Sequence, residues 1–348
     1  MQFRSLFSKI FGNQKEYKDV TALKLLNGYT NMYTPFSGNA YDDATVRDCI
    51  DTIARHFGKM RPKHVIKDNG KIKNVPNDRL NYLLSSYPNP MMTASEFLEK
   101  FIAQYFTYNN AFIYIQWDEF TGSIKAVYPL DFPLLEILED KTYNLYARFT
   151  FGAGERVTIP YENLIHIRRH FNRDEIFGDD NSKIMIEDLS TLKAVRASII
   201  NAVKNFTALR GYLKWISSLR PEDMKKVHDD FVRTYASNNP SGIASLDNKV
   251  EFHELNSKIT TFNSQQMSYA RDCIYKHFGL NENIIMGKYT EDEYIAFYES
   301  VLEPVAIKLA QEMTEKLFTR RERGFGNEII LESNRLNFMS VASKIKIC

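Results

Sequence analysis

Apolar residues recur at two spacings along this chain. At helical spacing, Val46, Cys49, Ile50, Ile53, Ala54 and Phe57 share one face, Asp42-Asp43 offers a cap, and Gly58 and Pro62 stop the run. A second helix is expected over 94–106, with Phe97, Phe101, Ile102 and Tyr105 on one side. Thr93 and Glu96 write a capping box at its start, and Asn109-Asn110 ends it. Just upstream, Asn89-Pro90 sets a turn, because the residue before proline is pushed out of the helical region. Over 184–209, Leu189, Leu192, Val195, Ile199, Val203 and Phe206 form a stripe narrow for a lone globular helix, closed by Gly211. Residues 262–278 and 291–318 are helical again. Thr290 and Glu293 form another capping box, and Pro304 is expected to kink the last helix because its missing N–H breaks a backbone bond.

Strand composition occupies 111–117 and 123–128, joined by a turn at Gly122. It recurs at 143–151 and 155–159 around Gly152-Ala153-Gly154, then at 163–168. Further on, 212–216, 243–246, 250–255 and 327–332 read as strands. A charged helix runs from Ser218 to Tyr235, and a loop spans 238–242. The pattern predicts an α+β fold with antiparallel sheets.

The chain has 348 residues, enough for two or three modules. A hydrophobic share of 44% and a charged share of 25% are ordinary for a globular protein, so wholesale disorder is excluded. The net charge of +2 disfavours a basic-domain DNA reader, yet it suits a protein that surrounds DNA and lets it slide, since each phosphate contact adds affinity. Cys49, Cys273 and Cys348 show no CxxC spacing, so neither a disulfide framework nor a zinc site is expected, and a reducing, intracellular setting fits. No apolar run is long enough to span a bilayer. The N-terminal stretch sets Phe3, Leu6, Phe7 and Ile10 against Arg4 and Lys9, and reads as a mobile arm or subunit contact.

Catalytic signatures are absent: no GxxxxGK[ST], GxSxG, HExxH or GxGxxG occurs, so no cofactor and no enzymatic activity are expected. His166 and His170 lie four apart in a segment that alternates like a strand, which favours structural roles. Asp174, Glu175, Asp179 and Asp180 read as a solvated turn, with a divalent-cation site as the alternative. Lys193, Arg196, Lys204 and Arg210 decorate the 184–209 helix, either as a solvated face or as a ring of positive charge. Arg320, Arg321 and Arg323 suit a helix C-terminus.

Five segments, in order, resemble the tailed-bacteriophage portal protein family, of siphophage type, and together cover about 40–337. DDATVRDCIDTIARHFGKMRPKHV (42–65) looks like its first helix and following strand. YPNPMMTASEFLEKFIAQYFTYNNAFIYI (87–115) is similar to its "rPN...t..eF" helix leading to a "GNAY" strand, with an asparagine for the glycine and Phe112 for the tyrosine. NLIHIRRHF (163–171) resembles "dvlHir", QQMSYARDCIYKHFGLNENIIMG (265–287) resembles "le.r....ia..fgvP..llg", and YIAFYESVLEPVAIKL (294–309) resembles "fy..tl.P....ie". The resemblance implies a mobile arm (1–38), a wing (39–182), a first stem helix (183–210), a clip (211–261) and a second stem helix (262–280). A channel loop (281–292), a long kinked helix (293–326) and a return strand with tail (327–348) follow, and the crown is absent or vestigial. It further implies a dodecameric ring at one capsid vertex of the virion, assembled in the host cytoplasm. That ring passes double-stranded DNA and docks the large terminase subunit, head-tail adaptors, and capsid and scaffolding proteins. By position in the family order, Gly287, Lys288 and Tyr289 would face DNA. Lys193, Arg196 and Lys204 would line the pore or meet a neighbour, and Lys225, Lys226 and Asp229 would dock partners. The competing readings are a metal-dependent nuclease built on Asp174, Glu175, Asp179, Asp180 and His170, and a protein-only adaptor.

Overall fold

The computed structural model describes residues 24–25, 32–33, 41–118, 120–131, 134–150, 156–172, 174–179, 182–206, 211–215, 220, 222–223, 225–226, 229, 250–254 and 264–332. The expectations for the N-terminal arm, the 152–154 turn, the 238–242 loop, the 243–246 strand, Asp180, Arg210 and the C-terminal tail lie outside these residues. The chain divides into two units, Met1–Leu189 with Arg271–Cys348, and Ser190–Ala270.

In the first unit, β1 (Lys24–Leu25) and β2 (Met32–Tyr33) precede α1 (Ala44–Phe57), which Asp43 caps by accepting from Thr45 N–H at 2.9 Å. The predicted face of α1 is buried, including Cys49, Ile50, Ile53 and Phe57. After β3 (Arg61–Asp68), β4 (Lys71–Asn74) and α2 (Arg79–Ser85) comes α3 (Ala94–Tyr108). Its start is the predicted capping box: Thr93 N–H donates to Glu96 Oε2 (2.8 Å), and Glu96 N–H donates back to Thr93 Oγ1 (3.3 Å). Its end is Asn109, whose φ of +56° places it in the left-handed region.

Six strands follow: β5 (Asn110–Trp117), β6 (Ile124–Leu130), β7 (Leu134–Glu139), β8 (Leu145–Thr150), β9 (Arg156–Pro160) and β10 (Leu164–Arg168). They form two antiparallel sheets. One has the order β10-β5-β6, and the other runs β7-β8-β9 with β1 and β2 paired to β7. Phe112, Tyr114, Tyr128, Leu135, Ile137, Phe149 and Ile159 share the core that these two sheets build. No strand is predicted at β7. Its LLEILE sequence is a short apolar run without clean alternation, and pairing with β8, from Leu134↔Thr150 to Glu139↔Leu145, decides its conformation.

The second unit begins within α4 (Ser182–Phe206) and contains β11 (Gly211–Trp215), paired antiparallel with β12 (Val250–Glu254). Gly211 opens β11 and pairs with Glu254, which corrects its expected role as a helix terminator. Residues 222–223, 225–226 and 229 are helical, as the charged-helix expectation requires.

The chain rejoins the first unit in α5 (Ser264–Phe278), then continues through α6 (Glu282–Met286), α7 (Glu291–Phe297), α8 (Glu303–Leu317), α9 (Arg320–Gly324) and β13 (Asn327–Glu332). The last strand pairs with β3, completing a third antiparallel sheet, β13-β3-β4. Between α7 and α8 lies a π-helical turn, Tyr298–Leu302, where Glu303 N–H reaches Tyr298 O. The expected break at Pro304 takes this form: widening one turn absorbs the bond the proline cannot make.

Both edges of the β10-β5-β6 sheet are covered. On β6, Val127 N–H donates to Pro88 O (2.9 Å) and Asn89 Nδ2 donates to Val127 O (2.8 Å). On β10, a charged ridge of α8 serves the open backbone. Lys308 Nζ donates to Arg168 O (3.4 Å) and Glu312 accepts the backbone N–H of His166, while in the turn just before the strand Lys316 Nζ donates to Tyr161 O (3.2 Å). Unpaired strand edges otherwise recruit foreign strands. Replacing the buried Asn89 by alanine strips Val127 O of its donor. Urea unfolding of Asn89→Ala is expected to show a loss of about 1–3 kcal/mol with an unchanged m-value.

Candidate functional site

The route from the sheet into α4 passes through one small hydrogen-bonded knot. Gly178 N–H donates to Asn110 Oδ1 (2.9 Å), and Asn110 Nδ2 returns a bond to Gly178 O (3.3 Å). Asn109 Nδ2 donates to Asp179 O (2.7 Å), Asp179 N–H donates to His170 O (2.9 Å), and Arg169 N–H donates to Asn109 O (2.9 Å). No side chain fits at Gly178, since a Cβ there would lie 2.2 Å from Arg169 O and 2.5 Å from Asn109 O. The glycine lets the two backbones touch.

His166 completes the knot. Asn110 Oδ1 already accepts from a backbone N–H, so its second bond, at 3.0 Å to His166 Nε2, requires that nitrogen to carry the proton. Nδ1 is then the acceptor for Tyr161 O–H at 2.8 Å. The ring stacks on Phe112 with centroids 4.0 Å apart. Burial, reinforced by the positive charges of Arg168 and Lys316, holds this imidazole well below the ordinary histidine range, so it is neutral. The structural reading of His166 holds.

Arg169 joins the knot to the end of α5. Its Nη2 donates to His277 O (2.8 Å), and its guanidinium lies over the rings of Phe106 (4.8 Å) and Phe278 (5.8 Å). Burial lowers its pKa to about 10, still charged at neutral pH. Burial likewise lowers His277 to about 4, with Arg169 adding to the effect. Asp174 is committed to its turn, accepting from Ile176 N–H (2.7 Å) and Phe177 N–H (2.8 Å). Among the described residues, no group of three or more His, Cys, Asp or Glu could hold a metal ion.

The loop after α5 is tighter than expected. Residues 284–286 belong to α6, which confines it to 287–290. Gly287 ends α6 at φ +69°, and Lys288 N–H donates to Asn283 O (2.9 Å). Thr290 and Glu293 form the predicted capping box, and Glu293 Oε1 also accepts from Asn283 Nδ2 (2.6 Å) and Asn281 Nδ2 (3.2 Å). Lys288 is exposed. Tyr289 is half-buried, with its ring 5.9 Å from His56 and 5.2 Å from Tyr294, so it anchors the loop instead of standing at its tip. His56 is lowered to about 4, chiefly by burial and then by Lys59 and Arg55.

The long helix α4 buries Leu189 and is partly exposed beyond it. Over 190–200, among the described residues, Leu192 alone is buried; Val195 and Ile199 are half-covered and Ile200 is 53% exposed. Lys193 is exposed and Arg196 half-buried, while the Lys204 side chain lies outside the described residues. Lys225, Lys226 and Asp229 are helical and exposed. Among the described residues, no helix is long and apolar enough to cross a membrane.

The chain matches the family model described as "Phage portal protein" over residues 44–348. Two curated relatives, the probable portal proteins of Lactococcus phages p2 and SK1, are each 24% identical over 192 residues, covering 54% of this chain and 50% of theirs. The chain thus spans about half the length of the curated relatives it matches. Three solved structures share the fold. A chain in the neck of an empty gene transfer agent particle, computed with C6 symmetry, aligns with a TM-score of 0.68 at 14% identity, over 93% of this chain and 90% of that one. A chain in the neck of the native particle, computed with C12 symmetry, gives 0.64 at 15% identity, over 87% and 84%. An HK97 family phage portal protein from Corynebacterium diphtheriae gives 0.51 at 11% identity, over 86% and 95%.

Because the folded His166 resists protonation while the unfolded chain takes up a proton near pH 6.5, acid favours unfolding. Stability is expected to be full above pH 6.5 and to fall as the pH drops below it. His56 and His277 act in the same direction. The slope from His166 is at most about 1.4 kcal/mol per pH unit. Thermal melts of wild type and His166→Gln between pH 7.5 and 5 check this, with a flatter profile expected for the variant.

Proposed function

The chain belongs to the phage portal protein family, and from that membership we propose that it is one subunit of a ring that conducts double-stranded DNA through a capsid vertex. The observation that carries this reading is the partial exposure of α4 over 190–200. Leu189 and Leu192 are buried and Val195 and Ile199 half-covered, but Ile200 is 53% exposed, and neighbouring copies would cover that surface. Identical copies arranged head-to-tail about an axis supply such neighbours on both flanks. The neck computed with C12 symmetry, which holds a chain of this fold, supports twelve subunits.

In this reading, residues 39–182 and 327–348 form the wing, α4 and α5 the stem, and 211–261 the clip. The clip, with Lys225, Lys226 and Asp229, receives the large terminase subunit during packaging and a head-tail adaptor afterwards. The wing meets capsid and scaffolding proteins. Lys193, Arg196 and Lys204 line the pore or the subunit boundary. The 287–290 loop faces the DNA, with Lys288 the contacting side chain and Tyr289 holding the loop in place. The chain's near-neutral charge suits a conduit, since a dense lysine lining would retard a sliding polyanion.

Lys288→Glu is expected to leave ring formation intact and to lower packaged DNA about tenfold, because an anion replaces a cation beside the duplex. Electron microscopy of the variant rings, with quantitative PCR of nuclease-protected DNA in assembled particles, checks both halves. Wild-type packaging by intact variant rings would take Lys288 out of the DNA path.

A further inference from the structure

His56, in the last turn of α1, is a half-buried imidazole whose Nδ1 is enclosed with no hydrogen-bond partner among the described residues. A polar atom enclosed in this way costs stability, so whatever holds the ring in place acts through its faces and edges. Three rings from one later stretch of the chain pack against it: Tyr289 (centroids 5.9 Å apart, planes at 71°), Tyr294 (5.4 Å, 54°) and Phe297 (5.6 Å, 80°). Edge-on arrangements at these separations are favourable for aromatic pairs. Tyr289 and Tyr294 also meet each other, with centroids 5.2 Å apart. Burial, with Lys59 and Arg55 adding to it, keeps the His56 ring neutral at pH 7.

The three rings belong to the helix–loop–helix segment 279–301, which carries the 287–290 loop. Its base is closed where Gly279, at φ +71°, meets Val301, since a Cβ on the glycine would lie 2.8 Å from Val301 Cγ2. Its middle is fastened by one carboxylate. Glu293 accepts Thr290 N–H through Oε2 (2.8 Å) and the side-chain amides of Asn283 (2.6 Å) and Asn281 (3.2 Å) through Oε1. The starts of α6 and α7 are thereby tied together.

Both of these fastenings lie inside the segment and set its shape. His56 comes from a distant part of the sequence, and it sets where that shape stands. Its own helix is firmly held, because the next residue, Phe57, is fully buried with its ring 6.3 Å from that of Phe101 on α3. A continuous line of packed rings thus runs from the core through α1 to Tyr289. Lys288 directly precedes Tyr289, and its N–H is held by Asn283 O (2.9 Å), so a Tyr289 ring fixed on His56 fixes the root of the lysine side chain.

We propose that His56 is a positioning residue: it seats Tyr289, and through that seat the end of α1 aims Lys288. The proposal rests on the reading above in which Lys288 meets DNA, and it adds the residue that places the cation. A loop already ordered by its seat pays less to order when the lysine meets a phosphate.

Hydrogen exchange of the full chain, followed by mass spectrometry, tests the seat and needs no DNA. His56→Ala empties it. His56→Phe keeps an aromatic ring there and removes the unpartnered nitrogen. Tyr289→Ala removes the other half of the contact. His56→Ala is expected to raise exchange across 287–290 at least about tenfold while peptides within 44–53 and 94–106 keep wild-type protection. His56→Phe should stay within about twofold of wild type. Combining His56→Ala with Tyr289→Ala should exchange no faster than the faster single variant, because both remove one contact. Wild-type exchange at 287–290 in His56→Ala, no rescue by phenylalanine, or additive effects in the double variant would each overturn the proposal. So would protection lost equally over 44–53 and 94–106, which marks a general loss of stability. Normal packaging by Lys288→Glu would instead remove the DNA role of the loop and leave the seat standing.

Discussion

The structure turns on the Asn110 amide. One side chain satisfies a backbone donor at Gly178, fixes the tautomer of His166 and returns a bond to Gly178 O, all in a buried setting. Buried polar groups of this kind gain modestly when paired and cost much when orphaned, so the network acts as an all-or-none fastening. What it fastens is the point where the chain leaves the β10-β5-β6 sheet for α4. A glycine with no room for a Cβ presses that exit against Arg169 and Asn109, so the crossing tolerates no slack.

Arg169 extends the same fastening to the returning helix, since its guanidinium donates to His277 O near the end of α5 while its own backbone is tied to Asn109. The start of α4 and the end of α5 are thus anchored within the first unit. Beyond that anchor, α4 is partly exposed over 190–200. The α8 ridge on β10 and the Pro88–Asn89 turn on β6 close the sheet edges that would otherwise compete for strand partners. In the ring proposed above, contacts between copies would then fall to side-chain surfaces.

Local chemistry made much of this legible beforehand. The Thr93–Glu96 and Thr290–Glu293 boxes and the apolar face of α1 are encoded within a few residues, and each stands as expected. Where several elements converge, legibility fails. The β7 strand depends on β8, and the turn before Pro304 depends on how the helix redistributes its bonds. The anchoring of Tyr289 was not legible because nothing in its neighbourhood of sequence announces His56, far away in the chain. Gly178 was the faint signal of the knot: a glycine among acidic residues reads as a solvated turn, and only the folded chain shows two carbonyls filling the space beside it.

Electron microscopy of the purified protein tests the central claim most directly. The account predicts closed rings with a hollow axis, subunits in head-to-tail order, and the α4 flank covered by a neighbouring copy. Solid particles without a central opening, or rings in which α4 faces bulk solvent on both sides, would contradict it.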